Sequence, residues 1–210
     1  MEIFQFSNIL EFLGTFAFSI SGIRLASAKR FDWFGAFVIG FATAVGGGTI
    51  RDVMLDQTPF WMVNPIYIIS TGLALVVVIF YRKILIRLHY TIFTFDAIGL
   101  ALFTVVGIEK TLACGFPFWV ALIMGTITGC AGGIMRDVLI TEIPLIFRKE
   151  IYAAASLFGG LFYFAFDRIG LPVEINKIIT IIIIILTRIL AVKFRIGLPV
   201  LKGSDEESTN

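Results

Sequence analysis

Apolar residues run along this chain in long blocks, and the polar residues gather between the blocks rather than alternating with them. A helix that crosses a hydrocarbon core of about 30 Å needs about 20 mostly apolar residues. On that measure the pattern predicts seven spans, near 7–27, 33–50, 65–81, 92–109, 118–135, 151–167 and 176–194. The third and sixth are short and contain Gly72 and Gly159–Gly160, while the seventh carries consecutive isoleucines over 181–185. Trp33, Trp61 and Trp119 fall at predicted span ends, where amphipathic rings prefer the membrane interface.

Composition agrees with the pattern. With 58% hydrophobic residues, 22 phenylalanines and a mean hydropathy of +0.96, the chain lies outside the range of soluble domains. The tail after Lys202, GSDEESTN, is polar and acidic and is read as disordered. Glu2 and Glu11 stand where a signal peptide would be basic, and no small-residue cleavage site follows, so the first span is expected to stay. A net charge of +2 decides nothing, but its placement does. Arg24, Lys29, Arg30, Arg82, Lys83, Arg87, Arg136, Arg148, Lys149, Lys193, Arg195 and Lys202 fall on one side, against Arg51, Lys110, Arg168 and Lys177 on the other. The positive-inside rule then puts the amino terminus outside and the carboxyl terminus in the cytoplasm of a cell (inner) membrane. The basic loops are read mainly as fixing topology, with membrane lipids as weak partners. Cys114 and Cys130 are read as packing residues and His89 as an interfacial one.

Residue n matches residue n + 85 without a gap. Gly14 pairs with Gly99, Phe18 with Phe103, Gly22–Ile23 with Gly107–Ile108, Gly40 with Gly125 and Thr43 with Thr128. Gly47–Gly48 pairs with Gly132–Gly133, Arg51–Asp52–Val53 with Arg136–Asp137–Val138, Pro59 with Pro144 and Ile66–Tyr67 with Ile151–Tyr152. Each unit holds three spans, an odd number, so the second copy enters from the opposite face and a pseudo-two-fold axis lies in the membrane plane. The expected fold is an all-α membrane protein of seven transmembrane helices, built from two inverted three-helix repeats plus a seventh helix. The expected divisions are a first repeat over 1–90, a second over 91–172, the seventh helix over 173–195 and a cytoplasmic polar tail over 196–210.

The second span of each copy carries glycines, in AVGGGTIRDV at 44–53 and GCAGGIMRDV at 129–138. Each glycine weakens a helix by about 1 kcal/mol relative to alanine, and Trp33 to Gly46 is about 20 Å of helix, inside the bilayer. Irregular backbone at that depth requires surrounding protein or a water-filled cavity. The pattern therefore predicts helix breaks at Gly46, Gly47 and Gly48 and at Gly132 and Gly133. Carbonyls near Thr43 and Thr128 would then end half-helices with partial negative charge and hold K+ or Na+ transiently. Thr49, Arg51, Asp52, Arg136 and Asp137 would line the same ion pathway, each aspartate neutralising its arginine. A packing reading competes. Gly125, Gly129 and Gly133 have GxxxG spacing, Gly40, Ala44 and Gly48 the small-residue version, and arginines at span ends can snorkel. Recurrence in both copies favours the pathway. Secondary pore candidates are Thr15, Ser19, Ser21, Asp96 and Thr104, and Glu11 matches Asp96 at the repeat offset. Hydroxyls often bond to their own helix, whereas a carboxylate at membrane depth is costly enough to mark a site. Arg188 is read as snorkelling to the cytoplasmic face beside Lys193.

The segments SGIRLASAKRFDWFG and AVGGGTIRDV, followed by DAIGLALFTVVGIEKTL and GCAGGIMRDVL, resemble the prokaryotic branch of the trimeric intracellular cation (TRIC) channels over residues 8–195. The resemblance implies a homotrimer of seven-helix protomers, each with a hydrophilic pore bounded by kinked second and fifth helices and conducting K+ and some Na+. Carried over by position, the kinks are Gly46–Gly48 and Gly132–Gly133, with Ala131 standing where the first copy has Gly46. Relatives with the same duplicated domain resemble glycine transporters, which makes a small amino-acid carrier the alternative, and a non-conducting scaffold is the third reading. No cofactor beyond permeant ions and no nucleic-acid partner is expected. An enzyme is not expected either: no metal cluster, nucleophile elbow or phosphate loop appears, and GGGTIRD lacks the lysine of a P-loop.

Overall fold

The computed structural model describes residues 2–87, 90–148 and 151–199, and every regular element among them is helical. In chain order these are α1 (Glu2–Ala28), α2 (Trp33–Met54), α3 (Phe60–Val63), α4 (Ile66–Phe80), α5 (Arg82–Arg87), α6 (Thr91–Ala113), α7 (Phe118–Leu139), α8 (Ala153–Arg168) and α9 (Val173–Lys193). A 3-10 turn over Leu145–Phe147 precedes α8. Five helices are long and apolar enough to cross a membrane: α1 from Phe6, α2, α6, α7 and α9. With 15 and 16 residues, α4 and α8 are shorter, because the chain first folds back through α3 or through the 3-10 turn. Neither of these short elements, nor α5, is long enough to leave a readable period in the sequence. His89 and the tail after Lys202 lie outside the described residues.

The core is a ring in which α1 packs on α2, α2 on α7, α7 on α6 and α6 back on α1. Outside it, α4 leans on α1 and α2, while α8 leans on α7 and α9. The two copies differ here: α4 packs broadly on α1, but α8 meets α6 only slightly and α9 fills the place beside it. The connections between helices keep the 85-residue register. Arg30 (φ 62°) matches Gly115 (φ 82°) and Asp56 (φ 55°) matches Thr141 (φ 59°), each a left-handed residue just past a helix end. Behind the second pair, Gln57 N donates to Asp52 O and Glu142 N to Asp137 O, both at 2.8 Å.

Both α2 and α7 run unbroken through their glycines, which corrects the expected breaks at Gly46–Gly48 and Gly132–Gly133. A Cβ on Gly47 would lie 2.1 Å from the carbonyl oxygen of Thr128, and a Cβ on Gly132 would lie 2.1 Å from that of Thr43. Each helix thus lays a bare glycine against the other's backbone, close enough for Cα–H···O contacts in both directions. Close packing outweighs the intrinsic weakness of glycine, since the helix is held from outside. No half-helix ends at the carbonyls near Thr43 and Thr128, where transient K+ or Na+ is expected from the sequence. Both carbonyls press on a glycine, and Thr43 and Thr128 donate their own hydroxyls to Ile39 O and Met124 O at 2.6 Å. The same threonines face Gly22 and Gly107, so glycine also sets the α1–α2 and α6–α7 crossings.

Candidate functional site

Burying a charge at membrane depth is unfavourable unless it is paired and hydrogen-bonded. Among the described residues, two clusters matched across the repeat meet that condition. In the first, Arg51 near the end of α2 is fully buried, with Nε and Nη2 at 2.8 and 2.7 Å from Asp52 Oδ1. Its Nη2 also lies 3.4 Å from Glu11 Oε1 on α1. Lys110 Nζ from the end of α6 stands 2.6 Å from that oxygen, and the Tyr67 hydroxyl from α4 donates to Glu11 Oε2 at 3.0 Å. Asp52 has a second task. Its Oδ2 accepts from Phe60 N at 2.8 Å and so caps the short helix α3.

The second cluster repeats the first at the 85-residue offset. Arg136 Nε donates to Asp137 Oδ1 at 2.8 Å and Nη1 reaches Asp96 Oδ1 at 2.6 Å, with Ser21 Oγ accepting from Nη1 at 2.7 Å. Asp137 Oδ2 accepts from Leu145 N at 3.1 Å, the counterpart of Phe60 N. Glu11 and Ser21 are about 15 Å apart along α1, and Asp96 and Lys110 about 21 Å apart along α6. The clusters therefore sit toward opposite ends of one helix core, with α1 and α6 running antiparallel between them.

Deeper than each cluster lies a hydroxyl pair, again in register: Ser19 with Thr71 at 3.0 Å and Thr104 with Ser156 at 2.9 Å. Thr104 also donates to Leu100 O. Thr15 and Ser70, both fully buried, bring two more hydroxyls to the α1–α4 side. Thr49 does not join the clusters; it donates to Val45 O and accepts from Trp61 Nε1 at 3.0 Å. Gly46 lies under the Met135 sulfur.

The first cluster borders an opening. A cavity of about 470 Å³ is lined by Asn8, Glu11, Asp52, Gln57, Thr58, Asn64, Tyr67, Lys110 and Cys114 together with apolar side chains. Lys110 is the exposed member, with 29% of its side chain accessible against 2% for Glu11. Asp96, Arg136 and Tyr152 are instead buried to within 1%. Cys114 is exposed at this vestibule and is not the packing residue expected, whereas Cys130 is buried in the core. A membrane-impermeant thiol reagent should therefore modify Cys114 from one face of the membrane only and leave Cys130 intact. Mass spectrometry of sealed vesicles of the two orientations reads this, and labelling of Cys114 from both faces would contradict a one-sided vestibule.

One reading of a single charge changes. Arg188 does not snorkel: it is buried to 1%, donates Nη1 to Ile151 O at 2.9 Å and stacks over the Tyr152 ring at 4.9 Å, because α9 packs against the second copy. Lys177, counted with the charges that fix orientation, is fully buried 2.5 Å from Glu109 Oε1 and 3.2 Å from Ser7 Oγ. Arg51 and Arg136, counted with the charges that fix orientation, are buried in the last turns of α2 and α7. The residues absent from the sequence-based site are Glu11, Tyr67, Tyr152 and Lys110, along with the hydroxyls of Ser70, Thr71 and Ser156. The first three were findable, since Glu11–Asp96 and Tyr67–Tyr152 recur at the repeat offset; Lys110 has Leu25 at its matching position and leaves no such trace.

The family model described as "Glycine transporter" matches residues 8–83 and again 93–168, two stretches offset by the same 85 residues. The chain is 38% identical over 193 residues to the UPF0126 inner membrane protein YadS of Escherichia coli (strain K12), covering 90% of this chain and 93% of that one. A UPF0126 membrane protein of Vibrio cholerae serotype O1 is 39% identical over 195 residues, covering 91% and 81%. Among solved structures, the TRIC trimeric intracellular cation channel orthologue from Rhodobacter sphaeroides superposes with a TM-score of 0.85 at 35% identity, covering 90% of this chain and 98% of that one. The duplicated ring of helices, the paired Arg–Asp clusters and these likenesses lead to one assignment: the chain belongs to the TRIC family of multi-pass membrane proteins, the family to which the glycine-transporter model also corresponds.

Proposed function

We propose that the protein conducts monovalent cations, K+ and to a lesser degree Na+, through a hydrophilic path within each protomer of a homotrimer. The observation that carries this reading is the pair of buried clusters toward opposite ends of one core, each joining an arginine to two carboxylates. Ionisable groups at such depth accompany a polar route. The route starts in the vestibule, passes the Lys110–Glu11 ion pair, follows the hydroxyls of Thr15, Ser19, Ser70 and Thr71 and ends at Asp96 and Arg136. It runs beside the α2–α7 crossing and not through a gap in either helix. In this reading α4 and α8 complete seven spans in two inverted repeats, with the amino terminus outside and the carboxyl terminus in the cytoplasm of the inner membrane. The relatives named as TRIC channels and as an inner membrane protein support it.

A second reading, a carrier for glycine or a similar small amino acid, is favoured by the inequality of the two ends. One cluster opens to a vestibule and its counterpart is buried, the asymmetry that alternating access between inverted repeats requires. Purified protein in a planar bilayer distinguishes the two. Unitary K+ currents are expected. Saturable glycine uptake into liposomes without unitary currents would replace the channel by the carrier, and silence in both assays would leave a scaffold.

A further inference from the structure

The two clusters differ at four matched positions, and at each the second holds the smaller side chain; one is Ser21, which accepts from Arg136 and has Val106 at its offset. Asp96 replaces Glu11 and is one methylene shorter, Leu145 replaces Phe60, and Leu25 stands 85 residues before Lys110. In the first cluster both carboxylate oxygens of Glu11 are served, by Lys110 Nζ and Arg51 on Oε1 and by the Tyr67 hydroxyl on Oε2. In the second, Asp96 Oδ1 meets Arg136, but no protein donor reaches Oδ2, and the Tyr152 hydroxyl that matches Tyr67 has no protein partner either. Both side chains are buried, to 0% and 1%. They also pack against the same face of Gly133. A Cβ on Gly133 would lie 2.5 Å from Tyr152 Oη and 3.5 Å from Asp96 Oδ1, whereas at the matching Gly48 the Phe60 ring comes to 2.4 Å.

We propose that Asp96 Oδ2 and Tyr152 Oη form a binding site for a monovalent cation of ammonium size, either K+ or the ammonium group of a small amine, between the two oxygens whose counterparts in the first cluster, Glu11 Oε2 and the Tyr67 hydroxyl, bond to each other. A carboxylate oxygen held away from water and from protein donors attracts a cation strongly. K+ and an ammonium group have nearly equal radii and both take oxygen neighbours, so two buried oxygens without donors suit either. A divalent ion such as Ca2+ wants several carboxylates, whereas the one here is already shared with Arg136. Arg188 over the Tyr152 ring and Arg136 on Asp96 Oδ1 oppose the incoming charge. The cation is thus held weakly enough to leave, as a permeation route requires. The site deepens the cation-permeation reading and rests on it for its role, though not for its chemistry.

Crystals of the full chain grown with Tl+ in place of K+ test it through anomalous scattering. A peak is expected between the Asp96 carboxylate and the Tyr152 hydroxyl, falling at least tenfold in Tyr152→Phe, which keeps the Arg136–Asp96 ion pair and the ring under Arg188. In solution, KCl should raise the melting temperature over N-methylglucamine chloride at equal ionic strength, and Tyr152→Phe should abolish the difference. Crystals soaked in glycine form the second arm: density at the same oxygens without a Tl+ peak keeps the site and assigns it to an amine. No Tl+ peak and no glycine density, or a Tl+ peak of full height in Tyr152→Phe, would overturn the proposal. Bilayer currents are independent of these outcomes, so currents with no occupant at this site would preserve the channel and remove the site.

Discussion

Replacing Gly47 or Gly132 by alanine is expected to cost the folded protein about 3 kcal/mol, at the upper end of what overpacking normally costs. The added methyl meets a carbonyl oxygen at 2.1 Å, and that oxygen belongs to the backbone of the crossing helix, so no rotamer can relieve the clash. One helix must move away from the other. The contact is reciprocal, so the first substitution also separates Gly132 from Thr43 when made at Gly47, and the double variant should cost less than the sum of the two. Gly72 is the control. A Cβ there meets nothing within 4 Å, so Gly72→Ala should raise stability by up to about 1 kcal/mol through helix propensity alone. Denaturation in detergent, followed by helix content, reads all four variants. If Gly47→Ala and Gly72→Ala behaved alike, the crossing would not be the reason for the glycines.

Much of this architecture can be read from the sequence because membrane spans are long and their period is set by the bilayer. The repeat is legible for the same reason: Arg51–Asp52 and Arg136–Asp137 recur in a chain where charged residues are scarce. The glycine triplet was misread as a break since helix propensity is a property of a single helix, while the approach of Thr128 O to Gly47 belongs to two. Small-residue spacing over Gly40, Ala44 and Gly48 pointed to that approach, and packing proved the stronger principle. The single charges were harder. Arg188 carries its environment from α8 and from the 3-10 side of the chain, far away in sequence, so hydropathy placed it by distance from Lys193 instead. Lys110 likewise acts outside its own repeat, on Glu11 of the first copy.

That crossing of charges between copies gives the clusters different tolerance to the same lesion. Removing Arg136 as Arg136→Gln leaves Asp96 and Asp137 buried together with their main cation gone, and breaking a buried pair from one side costs about 3–5 kcal/mol. Arg51→Gln is the matched lesion, but Lys110 remains 2.6 Å from Glu11 and the vestibule brings water to the cluster. Its cost should fall to the roughly 1–3 kcal/mol of an under-satisfied buried group. The order reverses for function. Arg51→Gln exposes Glu11 and Asp52 to the vestibule with one positive charge fewer, so cations should enter more readily, and the gain should shrink as added salt screens it. Chemical denaturation together with single-channel recordings at low and high salt measures both halves of the comparison. Equal destabilisation by the two glutamines, with conductance unchanged by Arg51→Gln, would mean that Lys110 neither balances the first cluster nor stands on the ion path.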